Sequence, residues 1–445
     1  MTRGEGARRI AYHVLVDYSR KDAYLNVLFS SYLAGSPLER RDRALVTEIV
    51  QGTVRMKLAL DWAIRCFSNR EPDSLDPGVL WVLRMFAYQV MFTSVPDYAA
   101  CDLAAKLTRR EIGEAAVGYV NGVLRALVRG RDRIEWPDRE REPSRYLEVR
   151  LSHPRWVVDM WREELGLEQA ESLCTADNVQ PPLSLRCNLL KTTREEVAGS
   201  LDAGGVEVEP GPLAPEALLV KGSGPPLELE EYKGGLFSVQ DQGSMVVGHA
   251  VAPRPGMRVL DMCAAPGGKA NHVAELMENI GSVIALDINP GRLRLVEETA
   301  LRLGNTIIET RAVDSTEASR EVEGTFDRVL VDAPCTGLGT LARRPDARWR
   351  KAPGDVERLA TLQRSLLAEG AKMVEPGGRL VYSTCTISRR ENQEVVCSFM
   401  ESDDRFEPVE FGGLETRDPA APFAQLLPGR DGCDGVFIAA LRRRA

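Results

Sequence analysis

Through the first 130 residues, apolar side chains return at every third or fourth position. Ile10, Val14 and Tyr18, flanked by Ala11 and Leu15, form one stripe; Ile112, Ala116, Val120, Val123 and Leu127 form another. That spacing is the period of a helix with one buried face. Asp76-Pro77 opens a further apolar stretch, with proline in the first turn where no N–H is needed. Period-two alternation is almost absent, so the pattern predicts an all-helical part of about six or seven helices. Arg129 to Arg150 is dense in charge and holds Pro137 and Pro143, which reads as a surface linker. Pro154 to Leu167 resumes a helical pattern.

From Pro181 the period changes. Leu183-Ser184-Leu185-Arg186-Cys187 alternates like a strand, and Val206 to Val208 and Ala217 to Val220 read as short strands. Between them Thr192 to Leu201 is helical, with Thr193 and Glu196 spaced as a capping box. From Phe237 onward short apolar strands alternate with helices: Met257 to Asp261, Val283 to Asp287, Thr306 to Thr310, Arg328 to Asp332 and Arg379 to Ser383, then a late Val436 to Leu441. Such alternation predicts a parallel sheet covered by helices on both faces. The expected organisation is a helical part over 1–140, a linker helix with a small α+β segment over 141–235, and an α/β domain over 236–445.

Composition changes this picture little. The chain has 445 residues, 44% hydrophobic and 27% charged, which excludes disorder, collagen and a disulfide scaffold. The net charge is −8, but residues 1–140 carry +3 and the remainder −11, so a polyanion contact is expected in the helical part. Arg125, Arg129, Arg131 and Arg133 are candidates for phosphate contacts, or a solvated helix end. Nine cysteines are scattered without a Cys-x-x-Cys, and none of the four histidines pairs with another at ligand spacing. Neither a disulfide framework nor a metal site is expected, and reduced thiols imply a cytoplasmic location. No uncharged apolar run reaches the length of a membrane span.

The chemistry starts at Asp261-Met262-Cys263-Ala264-Ala265-Pro266-Gly267-Gly268-Lys269, a turn that leaves a strand and opens a helix. A nucleotide-like ligand sits at that place in a doubly wound sheet. A phosphate-binding P-loop would need Gly where Cys263 stands and Ser or Thr where Ala270 stands, and a dinucleotide fingerprint needs a third glycine. Asp287 closes the next strand twenty residues past Gly267 and suits the ribose hydroxyls of an adenosine ligand, or else a helix cap before Pro290. S-adenosylmethionine (SAM) is the adenosine cofactor that remains. Asp314, just past the third strand, suits the adenine, although a loop aspartate is commonly a turn residue. Lys269 could meet the cofactor carboxylate, meet a substrate base, or pair with Asp332.

Two further strands end in cysteine: Val331-Asp332-Ala333-Pro334-Cys335 and Tyr382-Ser383-Thr384-Cys385. Either alone reads as a buried structural thiol. Two at equivalent strand ends, both aimed at the cofactor edge, point to chemistry. Carbon 5 of cytosine is a poor nucleophile; addition of a thiolate to carbon 6 makes it an enamine carbon that can take a methyl group, which is covalent catalysis. Asp332 is placed to hydrogen-bond the ring nitrogen N3 and ease the attack.

At these motifs, with Glu391-Asn392 after the last, the chain resembles the RNA cytosine-C5 methyltransferases of the NOL1/NOP2/Sun family. The resemblance implies Cys385 as nucleophile and Cys335 as the group assisting later steps and product release. It implies that SAM is held by Cys263, Ala264, Ala265, Pro266, Gly267, Gly268 and Lys269 and by Asp287, Asp314 and Asp332. Asp42-Arg43-Ala44-Leu45-Val46, Asn121-Gly122-Val123-Leu124-Arg125 and Leu151-Ser152-His153-Pro154-Arg155-Trp156 look like the bacterial 16S rRNA methyltransferase B (Fmu/Sun) subfamily. That implies a NusB-like helical RNA-binding domain, a small RNA-recognition-motif-like segment and a Rossmann-like SAM-dependent methyltransferase domain. It also implies a 16S rRNA substrate, as free RNA or an early assembly intermediate, methylated at a cytosine 967 type site. Asp314 departs from the family pattern, since Ala312-Val313 precede it without the usual glycine, as does Thr336-Gly337-Leu338-Gly339-Thr340 after Cys335.

Three other readings stand beside this one: the same chemistry on tRNA or 23S rRNA, a non-catalytic RNA-binding assembly factor, and a DNA cytosine methyltransferase with Cys335 as nucleophile. The stretch Arg343, Arg344, Arg348, Arg350 and Lys351, with Trp349 among them, is expected to meet RNA.

Overall fold

The computed structural model describes residues 4–21, 23–36, 38–221, 226–410 and 423–445. They form two compact units, Met1–Val179 with Leu341–Arg350, and Gln180–Thr340 with Lys351–Ala445. Among the described residues no helix is long and apolar enough to cross a membrane.

The first unit is helical. Between Glu5–Arg20 and Leu167–Ala176 it runs through ten α-helices among the described residues. Ala11, Val14 and Leu15 of one predicted stripe, and Val120, Val123 and Leu127 of the other, are buried in one core. The helix Pro77–Phe92 lies at its centre, with every residue from Gly78 to Val90 buried. A helix apolar all round has to be enclosed. The carboxylate of Asp76 caps it, accepting from the backbone N–H of Gly78 (2.8 Å) and Val79 (3.2 Å). The expected linker is partly helix: Pro143 occupies the first turn of Pro143–Arg150 rather than breaking the chain. His153 is buried and held by the carbonyl of Leu151 (2.7 Å), a structural role.

The basic stretch expected to meet RNA is in large part structural. Arg348 is fully buried and donates to the carbonyls of Ser152 (2.9 Å), Asp177 (3.2 Å) and Arg55 (3.3 Å) and to Asn178 Oδ1 (3.1 Å). Burial pulls its pKa down to about 10. The Trp349 indole donates to the carbonyl of Val54 (2.7 Å), and Arg350 donates to the carbonyl of Ala23 and lies over the rings of Tyr18 and Tyr24. Only Arg344 of the stretch within this unit is exposed. Charge and aromatic content alone could not separate a binding loop from a loop that supplies donors to helix-end carbonyls. Arg348→Met should lower the unfolding free energy by about 3 kcal/mol in a denaturant melt, because buried carbonyls lose charged donors. Arg344→Ala should leave it unchanged within about 0.5 kcal/mol.

The second unit begins with an antiparallel sheet of β1 (Leu183–Cys187), β2 (Val208–Pro210), β3 (Ala217–Val220) and β4 (Phe237–Val239), in the order β2-β3-β1-β4. The helix Arg194–Ala203 covers it and carries the expected Thr193–Glu196 capping box. The remaining strands are β5 (Arg258–Asp261), β6 (Ser282–Asp287), β7 (Ile308–Ala312), β8 (Phe326–Asp332), β9 (Val374–Thr384), β10 (Phe406–Pro408), β11 (Phe423–Leu426) and β12 (Val436–Arg443). They form an eight-stranded sheet ordered β10-β12-β9-β8-β5-β6-β7, with β11 on β12. From β7 to β9 all pairs are parallel; β12 runs antiparallel to its neighbours. Sequence periodicity did not reveal β10 and β11, which are too short to alternate.

Successive residues of the central strands enter two different cores. Val259, Val283, Leu330 and Val381 face one; Leu260, Ile284, Val331 and Tyr382 face the other. That is why these strands read as unbroken apolar runs. The chain leaves β5 toward β6 and β7, then returns to β8 on the other side of β5. At such a reversal the loops beyond the strand ends splay apart and leave a crevice for a ligand.

Candidate functional site

The crevice outside β5 and β8 receives the glycine-rich turn. Gly267 has φ +104°, and a Cβ there would lie 2.9 Å from Val296 Cα, so glycine is required both by the backbone and by the helix Pro290–Leu303 behind it. The turn is pinned by backbone bonds from Ala264 N–H to the Leu286 carbonyl and from Gly267 N–H to the Ala264 carbonyl, both 2.7 Å. Arg186 of β1, fully buried, donates to the Gly268 carbonyl (2.7 Å) and pairs with Glu275 (2.7 Å). Sequence reading missed this support. The available signal was an arginine on a strand among apolar neighbours, which has to be paired if it is buried.

The acids around the turn differ. Asp287 ends β6, buried, accepting from the Asn289 N–H (2.9 Å) with Arg292 3.3 Å away; Arg292 also donates to the Ala265 carbonyl (2.6 Å). The turn and the acid are thereby held together. Asp314 is exposed, and its Oδ1 accepts from the backbone N–H (3.0 Å) and hydroxyl (2.7 Å) of Thr316, which is the turn role. Cys263 donates its backbone N–H to Asp261 (3.3 Å).

Asp261 itself was not singled out from sequence. It is buried, and Oδ2 has no hydrogen-bond partner. Burial, then the charge of Asp332, pushes its pKa up to about 7. An orphaned buried carboxyl oxygen facing a glycine turn fits a ligand that brings a donor or a positive charge, as SAM would. A carboxyl whose folded pKa lies above its unfolded value stabilises the fold below the unfolded pKa and loses that contribution as pH rises to the folded one. Asp261→Asn should therefore melt higher than wild type at pH 8, by up to about 4 kcal/mol, with the gap closing toward pH 4.

At the end of β8, Asp332 takes the Lys269 ammonium on Oδ2 and the Ser383 hydroxyl on Oδ1, both at 2.7 Å. Of the three roles open to Lys269, the structure shows the ion pair. Burial pulls the Lys269 pKa down, but the attraction of Asp332 exceeds it and the net shift is upward. Lys269 stays an ammonium within electrostatic reach of Cys385.

The two cysteines converge. Cys335 Sγ and Cys385 Sγ lie 3.3 Å apart, each partly exposed, beyond the ends of adjacent parallel strands. Glu391, fully buried, joins the two loops: it accepts from the backbone N–H of Thr336 (2.8 Å) and its hydroxyl (2.5 Å), while Tyr382 donates to its carbonyl (2.6 Å). Asn392 accepts from Thr384 (2.6 Å) and donates to the Thr386 carbonyl (3.0 Å). Gly339 N–H bonds the Cys385 carbonyl (3.0 Å). These contacts account for Glu391-Asn392 as a clamp rather than reacting groups. Hydrogen bonding to Cys385, then burial, raises the Cys335 pKa well above the ordinary thiol value.

Comparison with known proteins covers both units. The family model for 16S rRNA methyltransferase RsmB/F matches residues 249–442, the NusB family matches 5–129, and the ferredoxin-like domain of RsmF/B-like methyltransferases matches 153–225. The probable ribosomal RNA small subunit methyltransferase B of Bacillus subtilis is 40% identical, with 98% of each chain covered. The ribosomal RNA small subunit methyltransferase B of Salmonella paratyphi B is 31% identical over 91% of each. Among solved structures, that of PH0851 covers 100% of this chain and 99% of its own at 26% identity and TM-score 0.81.

Proposed function

The chain belongs to the RsmB/F family of 16S rRNA methyltransferases, and from that premise we propose that it transfers the methyl group of SAM to carbon 5 of one cytosine in 16S rRNA. The observation that carries this reading is the 3.3 Å thiol pair at two neighbouring strand ends, beside the glycine turn. Methylation of a base nitrogen or a ribose oxygen would need no thiol at all.

SAM would supply the methyl group, and Cys263 to Lys269 with Asp287, Asp314 and Asp332 would hold it, Asp287 suiting the ribose hydroxyls. The Cys385 thiolate forms the S–C6 bond, and the electron pair of the C5–C6 double bond moves toward N3, making carbon 5 nucleophilic. Asp332 faces N3 and relays to it a proton from the Lys269 ammonium, which neutralises that charge. Once Cys385 is bonded to carbon 6 and carbon 5 carries the methyl group, Cys335, released from its contact with the Cys385 thiolate, loses its proton to solvent, and the resulting thiolate accepts the C5 proton. Loss of that proton re-forms the double bond, breaks S–C6 and frees the methylated RNA. The helical unit, net positive over residues 1–140, is the part assigned to holding RNA.

The test is methyl transfer from labelled SAM to 16S rRNA, offered as free transcript and as an early assembly intermediate, followed by nucleoside analysis. We expect all label in 5-methylcytidine at a single position, of the cytosine 967 type. Label in another nucleoside, or transfer only to 23S rRNA or tRNA, overturns the reading.

A further inference from the structure

Away from the cysteines, three side chains converge that no step above uses. Glu216 stands just before β3, His249 in the last turn of the helix Gln242–Val251, and His272 in the helix Gly268–Leu276 that the glycine turn opens. Among the described residues, one ligand atom of each lies within 4.8 Å of the others. We infer that Glu216, His249 and His272 form a binding site for a divalent transition cation of the zinc class, which ties the helix behind the glycine turn to β3.

The inference rests first on His272. Its side chain is 1% exposed, and neither ring nitrogen has a hydrogen-bond partner. Nδ1 packs on the backbone of Gly248, where a Cβ would come within 2.3 Å. Nε2 lies 2.8 Å from Glu216 Oε1, yet the contact lacks hydrogen-bond alignment. A fully buried imidazole with Nδ1 unpaired and Nε2 in contact with a carboxylate but off the hydrogen-bond line costs free energy unless something else polar meets it. A hydrogen bond needs the nitrogen to point along the N···O line. A shared ion needs it to point off that line by about 45°, because metal bonds of about 2.0–2.1 Å meet at the ion and not at the other ligand. His272 Nε2 stands off that line as a shared ion requires, whereas His249 Nε2 is hydrogen-bonded to both Glu216 oxygens and would turn toward the ion on binding.

The donor set is the second argument. His249 Nε2 lies 3.0 and 3.1 Å from the two oxygens of Glu216, whose side chain is 2% exposed. Two imidazoles and one carboxylate suit zinc and its neighbours among first-row divalent ions, and leave a fourth position open. Tetrahedral bonds put ligand atoms about 3.3 Å apart, so the two histidine contacts with Glu216 need to open by only a few tenths of an ångström. His249, 29% exposed, gives solvent a path to that position. The neighbouring cation, Arg186, is already neutralised by Glu275 at 2.7 and 3.1 Å. Spacing along the chain gave no hint of this group, because its members come from three separate elements.

The test uses the full chain, stripped with a chelator and titrated with Co2+. We expect one equivalent to give visible d–d bands without the near-ultraviolet thiolate charge-transfer band that cysteine ligation would produce. Zn2+ should displace Co2+ and raise the melting temperature. His249→Gln changes a partly exposed side chain and should fold; it should weaken binding by more than about 100-fold, beyond the loss typical of an outer-shell partner. It should also abolish the Zn2+-dependent rise in melting temperature. Glu216→Gln provides the second variant. Absence of a one-equivalent Co2+ spectrum in the wild type, a thiolate band, or wild-type binding by both variants would overturn the inference.

Discussion

Cys385→Ala is expected to abolish methyl transfer, by about 10⁴-fold or more, since a covalent route has no substitute nucleophile at that position. Cys335→Ala is expected to do something different. Cys385 can still add to carbon 6, but the group that accepts the C5 proton is missing, so the covalent RNA–protein adduct accumulates. A denaturing gel of protein mixed with SAM and 16S rRNA reads both results: a slow-migrating band with Cys335→Ala and none with Cys385→Ala. The geometry alone is nearly symmetrical, with the sulfurs 3.3 Å apart beyond adjacent strands. The asymmetry lies in the Cys335 thiol, whose pKa its hydrogen bond to Cys385 and its burial push up. Exchanged phenotypes would make Cys335 the nucleophile, as in a DNA-type enzyme. A protein that keeps its cellular role after losing Cys385 would be an assembly factor.

The second large effect is expected at Asp332. Asp332→Asn keeps the shape of the side chain and an acceptor for the Ser383 hydroxyl, but removes the charge that faces Lys269 at 2.7 Å. Burial is then opposed only by Cys385 and Asp261, and the Lys269 pKa falls relative to wild type. Stabilisation of the charge that develops on the cytosine ring is lost with it. We expect kcat to fall about 10²–10⁴-fold. Ser383→Ala removes one neutral hydrogen bond and should cost about 10-fold or less. Single-turnover rates with saturating RNA and SAM measure both. An Asp332→Asn enzyme with unchanged kcat would restrict the residue to holding the cofactor.

Much of the site was legible because its signals are local. The glycine turn, the acid closing β6 and the two strand-end cysteines each follow directly on an apolar strand, and strands in a parallel sheet deliver their carboxyl ends to one edge. Spacing along the chain is then enough to say that they meet. The supports were not legible. Arg186 lies 82 residues from the Gly268 carbonyl it holds, and Glu391 lies 55 from Thr336. Nothing in either segment specifies its partner.

The basic stretch shows the opposite failure. Arg348 and Trp349 carry the composition of a nucleic-acid contact, yet their donors are spent on carbonyls more than 150 residues away. A guanidinium satisfies a phosphate or a set of helix-end carbonyls equally well, and only the fold decides which is within reach. The histidines showed no ligand spacing along the chain, and His272 is buried as a core histidine would be. That its nitrogens stand beside Glu216 and His249 follows from how β3 and two helices pack.

By itself, then, the sequence determined most of the helices and strands, where the glycine turn falls, and which reactive groups reach the sheet edge. Those properties depend on backbone period and on neighbours in the chain. Tertiary structure alone decided how close the two thiols stand, which acid keeps an orphaned oxygen, and which arginines are structural. Burial and pairing across long separations in sequence set those outcomes, and both depend on distances in space.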